Sequence, residues 1–287
     1  MTAPYSISRG SHARSAPIGV FDSGVGGLTV LRALRKQLPD ERFVYLGDTA
    51  RLPYGTKSPE SVVRYSIQAV GKLVRFDIKC LVVACNTASA LALDALRIQF
   101  APLPVIGVVE PGAEAGCHAS ASGRIVVIAT DSTVRGGVYE RAIHRRRPNA
   151  QVIMRACPLF VALAEEGWTA GPIVAAIAHR YLDDLFAVPN AERPDTLVLG
   201  CTHFPALRNV LQDVVGPNVT IVDSAQTTAL ALEQALRTGA LVNNGTASLR
   251  LLATDDRERF VRVGSGFLGE EIDPRQVQLV DLSETSG

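Results

Sequence analysis

Apolar residues along the chain gather into short runs, separated by longer stretches in which they recur every three or four positions. The runs are Ile18–Phe21, Phe43–Leu46, Leu81–Ala84, Val105–Val108, Ile125–Ala129, Val152–Met154, Leu197–Leu199 and Val219–Val222. Unbroken aliphatic and β-branched runs of this length are the mark of strands buried on both faces. Helical periodicity follows most of them. After Leu81–Ala84, for example, Leu91, Ala92, Ala95 and Leu96 share one helical face. This alternation predicts an α/β protein with parallel sheets covered by helices on both sides, and with ligands held beyond the carboxyl ends of the strands.

The pattern also echoes itself. "IGVFDSGVGGLTVLRAL" begins at 18 and "IVVIATDSTVRGGVYERAI" at 125, each a strand, a small polar loop and a helix. A second pair follows: "LVVACNTASALALDAL" at 81 and "TLVLGCTHFPALRNVL" at 196 both place a cysteine where a strand hands over to a helix. Two similar halves are therefore expected, each giving one polar loop and one cysteine loop. The turn at "VVEPGAEAG", 108 to 116, is the expected crossing between them. Periodicity alone leaves the placement of the segment after Asp223 open.

The candidate chemistry sits in these loops. A free cysteine is usually a small buried apolar residue, and Cys80, Cys117 and Cys157 are read that way. Cys85 and Cys201 differ in their neighbours, Asn86 and Thr87 in one loop and Thr202 and His203 in the other. A helix N-terminus is expected to lower a thiol's pKa, and His203 is placed to exchange a proton with Cys201. In "FDSGVGGLT", 21 to 29, Asp22 and Ser23 are expected to face a ligand. Gly24, Gly26 and Gly27 would let the backbone approach it closely. The long polar stretch 47 to 60 reads as either a binding loop, with Pro53-Tyr54-Gly55 presenting backbone N–H groups, or an ordinary connection.

Charge and composition narrow the class. With 287 residues, net charge +1, 47% hydrophobic and 20% charged residues, the chain fits a soluble enzyme and not a nucleic-acid or membrane-surface binder. The basic run Arg145-Arg146-Arg147 reads as a solvated helix end before Pro148. No apolar run approaches the ~20 residues of a membrane span, and residues 1–16 carry no secretory h-region, so they read as a flexible leader. An odd number of cysteines, five, without any CxxC points to reduced thiols and a cytoplasmic location. Neither GxGxxG nor a P-loop occurs. Lysine stands only at 36, 57, 72 and 79, none in a pyridoxal-phosphate setting. Cys201, His203, Cys85 and Asp22 could ligate zinc in principle, but no spacing demands it, so no cofactor is expected.

With these residues in view, the chain resembles the glutamate racemase family, cofactor-independent members of the aspartate/glutamate racemase superfamily. The likeness is carried by "IGVFDSGVGGLTVLRAL", "YLGDTARLPYGTKS", "ACNTASALALDALR", "VIGVVEPGA", "CPLFVALAEEG" and "LVLGCTHFPALRNVL", spread from about 18 to 224. It implies two similar doubly wound parallel-sheet domains, residues 17–108 plus 223–287 and residues 109–222, with the active site in the cleft between them. It implies Cys85 and Cys201 as the two acid/base residues, assisted by Asp22 and His203. Ser23, Tyr54, Gly55, Asn86, Thr87 and Thr202, together with Asp22 and His203, match substrate-contact positions. Asp48 and Glu165 match acidic positions near the site. Two departures bear on substrate fit and loop rigidity: Gly136 stands where the family tends to carry Ser, and Phe204 where Tyr is more usual. The stretch before Ile18 is also shorter than in members activated by a cell-wall precursor nucleotide, so no such activation is implied.

The resemblance implies that Cys85 deprotonates D-glutamate and Cys201 deprotonates L-glutamate, with the D-isomer feeding peptidoglycan synthesis. Aspartate racemase is the nearest alternative within the superfamily, and "CNTAS", "GCTH" and "PYG" favour glutamate by resemblance. From other classes, a cysteine-dependent amidase or hydrolase would use one nucleophilic cysteine with His203 as base. A non-catalytic binding module for acidic amino acids would have no need of both cysteines. The expected partner is the small-molecule substrate alone, with no nucleic acid or membrane, and a homodimer is compatible with the chain.

Overall fold

The computed structural model describes residues 14–189, 192–243 and 245–282. The strands are β1 (Ile18–Asp22), β2 (Arg42–Gly47), β3 (Cys80–Val83), β4 (Val105–Gly107), β5 (Arg124–Ala129), β6 (Gln151–Ala156), β7 (Thr196–Gly200), β8 (Thr220–Asp223), β9 (Ser248–Ala253) and β10 (Val277–Leu279). They form two all-parallel sheets, ordered β10-β9-β2-β1-β3-β4 and β6-β5-β7-β8. The predicted strands all appear, within a residue at each end except that β6 runs two residues past Met154.

The helices are α1 (Leu28–Gln37), α2 (Pro59–Val74), α3 (Asn86–Leu91), α4 (Leu93–Gln99), α5 (Val109–Ala119), α6 (Asp131–Gly136), α7 (Val138–Arg146), α8 (Leu159–Glu165), α9 (Pro172–Phe186), α10 (Arg208–Val215), α11 (Ser224–Thr238) and α12 (Arg257–Leu268). Separate apolar clusters fill the space on each side of the sheets. One contains Leu28, Leu31, Leu34, Leu232, Phe260 and Phe267; another contains Phe160, Leu182, Leu199 and Phe204. β1 is buried at every position because helices cover both its faces, which is why the run shows no polar alternation.

The internal echo is structural. Within each sheet the first four strands of a half are ordered second, first, third, fourth, so β5 to β8 repeat the arrangement of β1 to β4. Cys85 and Cys201 therefore lie just beyond the carboxyl ends of equivalent strands, β3 and β7.

Several expectations need correction. The crossing at 108 to 116 is helical, not a turn. α5 begins at Val109 and tolerates Pro111 in its first turn, where a missing N–H leaves no intrahelical bond unmade. The helical pattern after Cys85 divides at Ala92 into α3 and α4. By contrast, the segment after Asp223, whose placement periodicity leaves open, returns to the first sheet through β9 and β10. Asp223 caps α11 on the way, its side chain accepting from the Ala225 amide. Most of the leader, residues 1–13, lies outside the described residues, whereas the Arg14 carbonyl accepts from Lys79 Nζ at 3.0 Å. Cys80 and Cys157 are buried as expected, but Cys117 is only half-buried. Arg145 and Arg146 are less free than a solvated helix end, since both bond Glu110.

Candidate active site

The first cysteine loop is built on β1 and β3. Asp22 ends β1, and its Oδ2 accepts from the Gly24 amide at 3.0 Å. Cys85 follows β3 and caps α3: its Sγ accepts from the Ala88 amide at 3.4 Å, and its thiol donates to Ser23 Oγ at 3.3 Å. The helix terminus was expected to lower this thiol's pKa, and the structure reverses the sign. Burial pushes Cys85 up to about 12, the Asp22 carboxylate pushes the same way, and the hydrogen bonds it shares with Ser23 and Ala88 only partly offset them. Burial also raises the Asp22 carboxyl, against the attraction of His203.

The second loop carries the opposite charge. Cys201 Sγ lies 3.7 Å from His203 Nδ1, and His203 Nε2 lies 3.0 Å from Glu165 Oε1. Glu165 Oε2 accepts from Arg259 Nη2 at 2.7 Å. Burial works against an imidazolium, but the hydrogen bonds to Cys201 and Glu165 and their negative charge prevail and raise His203 to about 10. Burial raises the Glu165 carboxyl, yet the bonds and charges of His203 and Arg259 outweigh it and hold Glu165 below the ordinary carboxylate value.

The two loops face each other closely. A Cβ placed on Gly26 would lie 2.5 Å from the His203 ring and from Thr202 Oγ1. Gly26 is thus small because the opposite half abuts it, not because a ligand does. Gly27 makes room for Asp22, whereas a Cβ on Gly24 would meet only Leu52 at 3.5 Å. Further polar contacts cross the cleft. Tyr139 donates to Asn86 Oδ1 at 2.6 Å, Thr29 donates to the Thr202 carbonyl at 3.1 Å, and Thr87 Oγ1 lies 3.0 Å from Thr130 Oγ1. Ser132 donates to the Gly55 carbonyl at 2.8 Å.

Asp22 Oδ1 and Asn86 Nδ2 are buried without a protein partner, one an acceptor and the other a donor. Such a pair suits the ammonium and carboxylate of an amino acid. Tyr54, by contrast, spends its hydroxyl on Asp48 Oδ2 at 2.6 Å. Asp48 also accepts from Arg51 and Thr254, so it braces the Tyr54-Gly55 turn, and its amide donates to the Asp22 carbonyl at 3.0 Å. Phe204 is buried edge-to-face against Phe160, and Gly136 packs toward Leu91.

A cavity of about 210 Å³ between the halves is lined by Leu52, Pro53, Gly55, Thr130, Val161 and Glu165, among others. A wider one of about 570 Å³ lies beside Asp48, Arg51 and Thr254, and neither cavity is lined by Cys85 or Cys201. Convergence of acid/base groups, not volume, therefore marks the site. Among the described residues, no cluster of three or more His, Cys, Asp or Glu side chains is arranged to hold a metal ion, and no helix is long and apolar enough to cross a membrane.

Sequence reasoning missed Arg259, Tyr139 and Thr130. Each acts across the cleft from a distant part of the chain: Thr130 and Tyr139 lie in the quoted stretch from 125 but were not singled out there, and Arg259 belongs to no quoted motif.

Residues 18–232 match the Asp/Glu/hydantoin racemase family. The chain belongs to that family. Glutamate racemase of Geobacter metallireducens is 49% identical over 265 residues, covering 91% of this chain and 96% of the relative. Among solved structures, a glutamate racemase of Bacillus anthracis superposes with a TM-score of 0.88 at 37% identity, covering 94% of this chain and 98% of the other. The glutamate racemase of Francisella tularensis in complex with D-glutamate gives 0.87 at 34% identity, covering 94% and 99%. As in these racemases, the fold is a pair of parallel-sheet α/β domains.

Proposed function

We propose that this protein interconverts L- and D-glutamate by a two-thiol proton transfer that needs no cofactor. The observation that carries the reading is the pairing of Cys85 and Cys201 on equivalent loops of two facing halves, each with its own ionisable neighbour. Inverting a stereocentre requires a base on one face of the α-carbon and an acid on the other. Cys201 would take the proton from L-glutamate, with His203 balancing the charge, while Cys85 delivers its proton to the opposite face. The reverse direction starts with Cys85 as base, helped by the Ser23 and Ala88 hydrogen bonds. Asp22 would receive the substrate ammonium. Asn86, Thr87, Ser23 and Thr202 would hold the carboxylates, with Tyr54 and Gly55 forming the wall braced by Asp48. Donors around the α-carboxylate stabilise the charge that develops there.

Both thiols are almost closed to solvent, so substrate entry would separate the halves and break the contacts of Ser132, Thr87 and Gly26. The division into domains 17–108 plus 223–287 and 109–222 follows this reading. So does a cytoplasmic enzyme, alone or as a homodimer, that supplies D-glutamate for peptidoglycan; sedimentation velocity decides between monomer and dimer.

Proton NMR of L-glutamate with the enzyme in D2O, without added cofactor, tests the reaction. The α-proton signal should vanish while D-glutamate deuterated at Cα appears. Hydrolysis of an amide with no α-proton loss would favour the cysteine amidase instead. Faster inversion of aspartate than of glutamate would favour aspartate racemase.

A further inference from the structure

His203 and Cys201 belong to one half of the molecule, yet the chain of charges that supports them ends in the other. Glu165 ends α8, in the half that carries β7. Arg259 lies in the first turn of α12, whose buried side packs in the core around β1. Asp256 caps α12 and accepts from the Arg259 amide at 2.9 Å, which fixes the turn from which the guanidinium reaches over the cleft. The result is a continuous chain: Arg259 Nη2 to Glu165 Oε2 at 2.7 Å, Glu165 Oε1 to His203 Nε2 at 3.0 Å, and His203 Nδ1 to Cys201 Sγ at 3.7 Å. Each carboxylate oxygen of Glu165 is thus used by a different half.

We propose that Arg259 is a positioning residue that completes the Cys201 acid/base group only when the two halves are closed. Arg259 acts through Glu165. It holds the carboxylate charged and aimed at His203, which in turn keeps a proton on the imidazole beside Cys201. When the halves part, Arg259 leaves, and the support for the imidazolium weakens before substrate departs. Cys85 has no such chain: its hydrogen-bond partners Ser23 and Ala88, and Asp22, the charge that raises it most, come from its own half, and Cys201 across the cleft adds only to the same upward push. Closure would therefore recruit to the Cys201 face a supporting charge that the Cys85 face does not receive.

The inference rests on the racemase reading, and isotope effects test it apart from that reading. L- and D-glutamate have equal free energies, so any variant must lower kcat/KM by the same factor in both directions. The isotope effects are free to diverge. Arg259→Met should lower kcat/KM about tenfold, the scale of one lost charge-assisted hydrogen bond. The barrier for proton transfer at Cys201 should rise selectively. The deuterium isotope effect with L-[2-²H]glutamate should then grow, and that with D-[2-²H]glutamate should shrink toward unity. Arg259→Lys should recover most of the rate. Asp22→Asn, on the opposite face, should push the two isotope effects the other way. Should Arg259→Met fail to fold, Arg259→Gln carries the same test, because it removes the charge and keeps a donor. An unchanged kcat/KM, or a loss in which both isotope effects stay put or move together, overturns the role of Arg259. If the wild-type protein does not racemise glutamate, the racemase reading falls first.

Discussion

The two cysteine loops occupy the same place in the two halves, yet their electrostatics are opposed. Around Cys85 the charged neighbour is the Asp22 carboxylate, and burial with that charge holds the thiol protonated, with a pKa raised to about 12. Beside Cys201 stands His203, raised to about 10 by Cys201 and Glu165 against the cost of burial. Strand order places each sulfur; the residues that follow, and those reaching in from outside the loop, set its charge. On the proposed two-thiol reading, this inequality favours the state that starts from L-glutamate, with Cys85 holding a proton and an imidazolium beside Cys201; the reverse direction needs the proton moved.

The largest effects should come from removing either sulfur. Cys85→Ser and Cys201→Ser should each lower racemisation by about a thousandfold or more, since a serine hydroxyl is too weak an acid to replace a thiol in proton transfer. A circular-dichroism assay of L- and D-glutamate reads this directly. Near-normal activity in either variant would contradict a two-thiol site.

Next come the neighbours that make the loops unlike. Asp22→Asn and His203→Asn should each cost about a hundredfold in kcat/KM, within the range of general acid–base assistance. Only Asp22→Asn should alter Cys85 itself. Its carboxylate raises that thiol, so its loss should shift the pH midpoint of Cys85 alkylation downward, as followed by peptide-resolved mass spectrometry. An unmoved midpoint would remove Asp22 from the account.

The closeness of the loops predicts a smaller effect. Gly26→Ala would drive a methyl to 2.5 Å from the His203 ring, so the halves could not close fully. A loss of about ten- to a hundredfold in kcat/KM is expected, the scale of overpacking strain. Gly24→Ala, with Leu52 at 3.5 Å, should be nearly silent. Equal losses in both variants would mean that the loop itself, not its approach to His203, is what matters.

The smallest effect is on stability against pH. His203 is raised from 6.5 to about 10, so its stabilisation is complete below about 6.5 and is lost as pH climbs toward 10. Cys80, Cys85 and Cys157 are raised from 9.0 to about 12 by burial, so unfolding is further favoured above about pH 9, where the unfolded thiols ionise. Thermal melting should therefore decline gently from neutral pH and more steeply beyond 9. His203→Asn should flatten the first part only.

Much of this was legible in the chain. Buried parallel strands are written as unbroken apolar runs, and both cysteine loops sit at such run ends, so β1 to β8 and the two thiols emerge together. β9 and β10 did not, for physical reasons. β9 mixes Ser248 and Arg250 into its exposed half, and β10 is three residues long with two of them exposed. The sign of the Cys85 shift was also illegible, because a local cap is visible in sequence and burial beside Asp22 is not. Arg259 lies 94 residues from Glu165, and nothing local marks a guanidinium that acts across a cleft.

Solvent exchange in the two serine variants measures the central claim most directly. Each variant is incubated in D2O with each enantiomer, and the α-proton is followed by NMR. Cys85→Ser retains Cys201 and should exchange the α-proton of L-glutamate and not that of D-glutamate; Cys201→Ser should do the reverse. Exchange into the same enantiomer by both variants would contradict the assignment of one thiol to each face.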